Sequence, residues 1–204
     1  IKALGVDGGI FFGEVAQSGV VGGLLLAGQI KGAQVAAGYE PGAGIGVECA
    51  VDLVEYAQVV PDLVDGVAYF GGCDEVFRGV RVSDGEEVLS TPAGAYTAAS
   101  PAIRGTRAYF GTFDNEVLGL DLSSQEILWR YEHHTRHFPF YSSALNVEGK
   151  VIIGGRDRMV NAIDETTGKE RWTCVTGARV DSSPAAADGR IYIGSGDGRL
   201  YVLD

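Results

Sequence analysis

The strongest constraint on this chain is an internal repeat. Four segments, Gly66–Asp74, Thr106–Asp114, Gly149–Asp157 and Gly189–Asp197, share one order of residue types. Each runs through a turn position, an apolar trio, a glycine with a small residue and an aspartate, and then enters a second apolar stretch. Their anchor glycines, Gly71, Gly111, Gly154 and Gly194, are spaced 40, 43 and 40 residues apart. Two further markers keep the same phase: Pro61, Pro101, Ala144 and Pro184 upstream, and Leu89, Trp129 and Trp172 downstream. A fixed period of this length marks architectures in which one supersecondary unit cannot bury its apolar face alone and must stack on its neighbours.

Each unit reads as strands. Ser182–Ala187 is a short small-residue strand, and Asp188-Gly189 is a hairpin turn, because glycine tolerates the positive φ that two-residue loops require. Arg190–Ser195 is the second strand, Gly196-Asp197-Gly198 a second turn, and Arg199–Asp204 the third strand. In the preceding unit Thr166–Lys169 turns the chain into a fourth strand, Glu170–Val175. Four antiparallel strands per unit predict an all-β fold, a β-propeller of four-stranded antiparallel blades with almost no helix. The composition agrees: 31 glycines in 204 residues supply turns, and 46% apolar residues supply a core.

The repeat fades toward the N-terminus. Gly22–Gln29 copies the turn and second strand, with Gly28 lying 43 residues before Gly71. Val6–Gly13 copies it again, but Gly13 precedes Gly28 by only 15 residues, too few for a blade. Either a blade has collapsed to a hairpin or residues are missing between Glu14 and Gly22; we expect missing residues and a break in the chain there. The working reading is a single propeller domain over 1–204, with 1–60 degenerate or discontinuous and 61–204 regular. About five blades are visible, and seven or eight are expected in the complete chain. The last unit stops before a fourth strand, which a strand from the N-terminus could supply.

The turn into the fourth strand narrows the type. Ala162-Ile163-Asp164-Glu165-Thr166-Thr167-Gly168-Lys169-Glu170-Arg171-Trp172 resembles the tryptophan-docking motif of pyrroloquinoline-quinone (PQQ) repeats. Gly119–Trp129 is a looser copy, and Gly79–Leu89 lacks the indole. With the Ser-Ser-Pro-Ala and Tyr-Ile-Gly-Ser-Gly-Asp-Gly elements, the chain resembles the PQQ-binding-like β-propeller family, whose repeats are of the BamB-like and quinoprotein type. The resemblance covers Pro61 to Asp204. It implies that Trp129, Trp172 and Leu89 are structural docking residues and that the protein works in the periplasm or extracellular cell envelope. It leaves open whether the propeller is a protein-interaction scaffold, a quinoprotein dehydrogenase or a fragment of one, or the ligand-sensing ectodomain of a receptor, because one repeat serves several functions. Catalytic members hold PQQ over a disulfide between two adjacent cysteines, beside calcium and an aspartate base. Here Cys49, Cys73 and Cys174 are far apart, and no Cys-Cys step or CxxCH sequence exists. The expectation is therefore a non-enzymatic scaffold with no catalytic, cofactor or metal residues.

Other classes fit poorly. A net charge of −11 repels nucleic-acid phosphates. The longest charge-free N-terminal stretch, Val15–Ile30, is 16 residues with four glycines, short of a membrane span. Gly42-Ala43-Gly44-Ile45-Gly46 lacks the GxGxxG spacing of a dinucleotide fingerprint. The segment holding all three histidines is more informative. It lies where the period stretches from 40 to 43 residues, which predicts a lengthened rim loop between blades. His133, His134, Arg136, His137, Phe138, Phe140 and Tyr141 are the candidate partner-contact residues, since aromatic and arginine side chains are enriched at binding hot spots. Three imidazoles raise the question of a transition metal. In an extended segment His133 and His134 would point apart, so no metal is expected.

Overall fold

In the computed structural model the described residues are 2–5, 62–97 and 99–204. The N-terminal repeat copies, the expected break between Glu14 and Gly22, the Gly42–Gly46 run and Cys49 lie outside them. All regular structure among the described residues is β: β1 (Lys2–Gly5), β2 (Asp62–Val64), β3 (Val67–Gly71), β4 (Val76–Arg81), β5 (Glu87–Pro92), β6 (Ala102–Arg104), β7 (Arg107–Gly111) and β8 (Glu116–Asp121) come first. They are followed by β9 (Glu126–Glu132), β10 (Leu145–Val147), β11 (Lys150–Gly154), β12 (Met159–Asp164), β13 (Glu170–Val175), β14 (Ala185–Ala187), β15 (Arg190–Gly194) and β16 (Arg199–Leu203).

Four antiparallel sheets result: blade I is β2-β3-β4-β5, blade II β6-β7-β8-β9, blade III β10-β11-β12-β13 and blade IV β14-β15-β16-β1. The N-terminal strand β1 thus supplies the fourth strand of blade IV, pairing Lys2 with Val202 and Gly5 with Arg199. The short first strands of blades I, II and III neighbour one another in succession. Asp62 in β2 accepts the Ile103 amide of β6 at 3.1 Å. The crossings between blades are laced in the same period, because the Ser100 amide donates to Ser143 Oγ and the Ser143 amide to Ser183 Oγ, each at 3.2 Å.

Turn chemistry recurs with the blades. Asp65-Gly66, Glu148-Gly149 and Asp188-Gly189 have positive φ at both positions, the conformation whose twist matches antiparallel strands. At the next turn Asp74, Asp157 and Asp197 accept the amide two residues on, at 3.4, 3.0 and 3.1 Å. This local bond is the reason an aspartate recurs there.

The core consists of layers between blades, which is why inner strands are apolar on both faces. On β11, Val151 and Ile153 meet Tyr109, Val117 and Tyr131 of blade II, while Ile152 meets Ile191, Ile193 and Tyr201 of blade IV. On β7, Ala108 and Phe110 face Phe77 and Leu89 of blade I, and Tyr109 faces the other way. Phe77 and Phe110 stack with ring centroids 4.6 Å apart.

Trp129 fastens blade II to blade III. Its indole lies over Gly119 of its own blade and Gly168 of the next, and a methyl group at either glycine would overlap the ring. Its Nε1 donates to the Glu165 carbonyl oxygen at 3.1 Å. Gly168 also has φ +69°, so glycine there meets both a conformational and a steric demand. Leu89 occupies the corresponding register in blade I, opposite Gly79, and Trp172 in blade III, opposite Ala162. Leu89 is buried, whereas Trp172 is half-buried against the layer between blades III and IV. The turn that receives Trp129 is built on Asp164, which accepts the amides of Thr166 and Thr167 at 3.1 and 2.7 Å and Arg171 Nε at 3.0 Å. The Thr167 hydroxyl and amide, and then Arg171, hold its carboxyl well below the usual carboxylate range.

Two outcomes follow for stability. Trp129→Ala should cost about 3–5 kcal/mol in urea unfolding, the range for truncating a buried aromatic. Asp164→Asn should lower the melting temperature at neutral pH. Because the folded-state pKa is depressed, the wild-type advantage is complete above the ordinary carboxylate range and shrinks as pH falls through the lower folded value.

Candidate functional site

The crossing from β9 to β10 spans residues 133–144, against 93–101 and 176–184 for the other two crossings, so the three extra residues of the repeat are inserted here. The insertion does not run extended. His133 Nδ1 accepts the amides of Thr135 and Arg136 at 3.3 and 3.2 Å, which turns the chain immediately after β9. As a result the imidazoles of His133 and His134 stack, with centroids 4.5 Å apart and planes 26° apart. This corrects the expectation that the two rings point apart, which assumed strand-like alternation through the loop.

The sequence candidates separate into two sets. His133 is buried, and Phe140, 1% exposed, packs with Tyr109, Trp129 and Val151 in the layer between blades II and III. Gly111 leaves room for Phe140, since a methyl group there would overlap the phenylalanine. Arg136 is half-buried and donates from Nη1 to the Asp157 carbonyl oxygen at 2.6 Å. These three side chains hold the loop down. His134, His137 and Phe138 face outward, and Tyr141 is half-exposed. His137 Nδ1 lies 2.6 Å from Glu132 Oε1, with both side chains exposed.

The outward set continues into neighbouring turns. Tyr141 meets Phe113 edge to face at 4.6 Å, and the Arg156 guanidinium lies 3.5 Å from the Tyr141 ring centroid. Asp181 fixes Arg156 through bonds of 3.0 and 3.3 Å. The Phe113 amide donates to the Tyr96 carbonyl oxygen at 2.8 Å, which brings the exposed Tyr96 to the same rim. Phe113, Tyr141, Arg156 and Asp181 therefore form one run of contacting side chains from blade II to the blade IV crossing, and the Tyr96 main chain borders it. The sequence reading found its blade II–III part but missed Tyr96, Phe113 and Arg156. Their clue was an aromatic or arginine within the turn signals Thr112-Phe113-Asp114 and Gly155-Arg156-Asp157.

A polar cluster lies beneath the loop. The Tyr131 hydroxyl donates to Glu170 Oε2 at 2.9 Å and lies 3.3 Å from Asn161 Oδ1. Burial, and then the Glu170 carboxylate, push the Tyr131 phenol far above its ordinary value. Asp157, 3% exposed, has its carboxyl raised by burial against the opposing pull of the Met159 amide and the charges of His133 and Arg136. Of the described cysteines, Cys73 is exposed in blade I and Cys174 buried in β13 of blade III, both free. The adjacent cysteine pair that cradles PQQ in quinoproteins is thus not formed among the described residues, and these two thiols do not fit that role. No described helix is long and apolar enough to cross a membrane.

The division of the loop is testable by chemical denaturation. Phe140→Ala should destabilise by about 3–5 kcal/mol, whereas Phe138→Ala, at an exposed site, should stay within about 0.5 kcal/mol of wild type.

Comparison with known proteins agrees with this architecture. A family profile described as outer membrane protein assembly factor BamB matches residues 128–204. The serine/threonine-protein kinase AfsK of Streptomyces griseus is 31% identical over 154 residues, covering 70% of this chain and 19% of the kinase. The dehydrogenase subunit of a quinone alcohol dehydrogenase from Gluconobacter oxydans is 26% identical over 141 residues, covering 62% of this chain and 16% of that protein. The chain therefore spans less than a fifth of these curated relatives. Among solved structures, BamB from Moraxella catarrhalis superposes with a TM-score of 0.64 at 22% identity, covering 72% of this chain and 49% of that one. The computationally designed Ika4 protein gives 0.60 at 13% identity, covering 69% and 86%. Repeat phase, blade topology and the profile match over residues 128–204 together show that the chain carries β-propeller repeats similar to the PQQ-type repeats of BamB.

Proposed function

We propose that this propeller is a non-catalytic protein-binding platform of the cell envelope, and that its partner docks on the aromatic rim. The observation that carries this reading is the contact run of Phe113, Tyr141 and Arg156, with Tyr96, 48% exposed, joined to Phe113 through the main chain and Phe138, 49% exposed, in the loop that carries Tyr141. Large aromatics held at a rigid rim supply contact area at low entropic cost, and an arginine stacked on tyrosine is pre-ordered for a directed bond. The candidate contact set is accordingly His134, His137, Phe138 and Tyr141 from the original loop, with Tyr96, Phe113 and Arg156 added. His133, Arg136 and Phe140 support it from within. The envelope location rests on likeness to an outer membrane assembly factor.

A second reading is favoured by the kinase relative, in which the propeller is a recognition module within a larger signalling protein. The quinoprotein relative keeps an oxidoreductase in view, but the separated cysteines argue against that chemistry here.

The test pairs binding with folding. Tyr96→Ala combined with Phe138→Ala should abolish crosslinking to the native partner in source cells while leaving the melting temperature unchanged. Intact crosslinking by the well-folded double variant would refute the rim as docking surface. PQQ with calcium should give no alcohol-dependent dye reduction; turnover would instead support the dehydrogenase reading.

A further inference from the structure

We propose that His133 and His134 of the inserted loop, together with Glu170 of blade III, form a binding site for a borderline transition-metal cation such as Zn2+ or Ni2+. One donor atom from each of the three residues lies within 4.8 Å of the other two. Donors around a tetrahedral ion with bonds of about 2.0–2.1 Å sit about 3.3 Å apart. Closing the difference asks for rotation of the His134 and Glu170 side chains, both of which are exposed. Two imidazole nitrogens and one carboxylate oxygen suit Zn2+, Ni2+ or Cu2+ better than Ca2+, which prefers an all-oxygen set.

The surroundings are arranged for such an ion. Glu170 is oriented by the Tyr131 hydroxyl at 2.9 Å, the kind of outer bond that fixes a ligating carboxylate. Asp157 is buried below the loop. The Arg136 guanidinium is directed to the Asp157 carbonyl oxygen. His137 is not part of the set; its Nδ1 lies against Glu132 instead. The third ligand is therefore supplied across the blade junction, not by the histidine run itself.

Loading has a structural consequence. In the metal-free turn His133 Nδ1 accepts two amides, so a neutral ring carries its proton on Nε2. With Nδ1 turned to the main chain, Nε2 is the nitrogen left for the metal. Coordination there places the proton on Nδ1 and ejects the Thr135 and Arg136 amides, so the turn must re-form around other acceptors. Metal binding is thus coupled to the conformation of the partner-facing loop, although the site stands whether or not that loop binds a protein.

The experiment titrates the metal-free full chain with zinc chloride, and separately with nickel sulfate, by calorimetry and by amide NMR. Saturation at one ion per chain below about 0.1 mM is expected, with the Thr135 and Arg136 amide resonances moving in step. His134→Ala and Glu170→Gln should each weaken binding by about tenfold or more, and His137→Ala should leave it unchanged. Glu170→Gln keeps an oxygen for Tyr131, and thermal melts of each variant verify folding. The proposal is overturned by no stoichiometric binding, or by His137→Ala weakening the ion as much as His134→Ala, the sign of adventitious surface-histidine binding.

Discussion

Burial of each blade against the next is the interaction on which the rest of the structure depends. A four-stranded sheet of this size exposes two apolar faces and is not stable alone. Val151 and Ile153 are buried in a layer shared with blade II and Phe140, and Ile152 in a layer shared with blade IV and Val180. The indole of Trp129 makes one such junction specific, because it fills the space that Gly119 and Gly168 leave and donates to the Glu165 carbonyl oxygen. Small residues at the indole's contacts and a large one in the partner strand are a single requirement seen from two sides.

That division of labour leaves the rims free to vary. The strands cannot change length without breaking register, but a crossing loop can take an insertion at small entropic cost. The loop at residues 133–144 shows how such an insertion is anchored. Phe140 enters the core, Arg136 holds the neighbouring turn, and His133 closes the bend, while His134, His137 and Phe138 are left facing out. Function in a repeat protein concentrates where the period is violated, since the regular positions are occupied by packing.

Much of the fold was legible in the sequence because turn chemistry is local. Asp188-Gly189 specifies its hairpin by backbone preference alone, and the aspartates at 74, 157 and 197 bond an amide two residues away. The site was legible only in part. The broken period located the loop, and its aromatic content marked it as a surface of interest. Tyr96, Phe113 and Arg156 escaped notice because each sits in an ordinary turn of a different unit, and nothing local ties them to Tyr141. Glu170 was read as a strand residue, and its approach to two histidines depends on how blade II lies on blade III.

The sequence by itself determined the blade, its strand order and its repeat phase, since these follow from period-two patterning and from glycine and aspartate at turns. It also determined which strand carries the docking side chain. Only the tertiary structure decided which loop residues turn inward. Phe138 and Phe140 are equally apolar in the sequence, yet one is 49% and the other 1% exposed. The stacking of His133 on His134 was likewise decided there, because two main-chain amides bend the loop out of strand geometry. The physical reason is the range of the forces: turn preferences act within a few residues, whereas burial depends on a neighbouring blade about forty residues away.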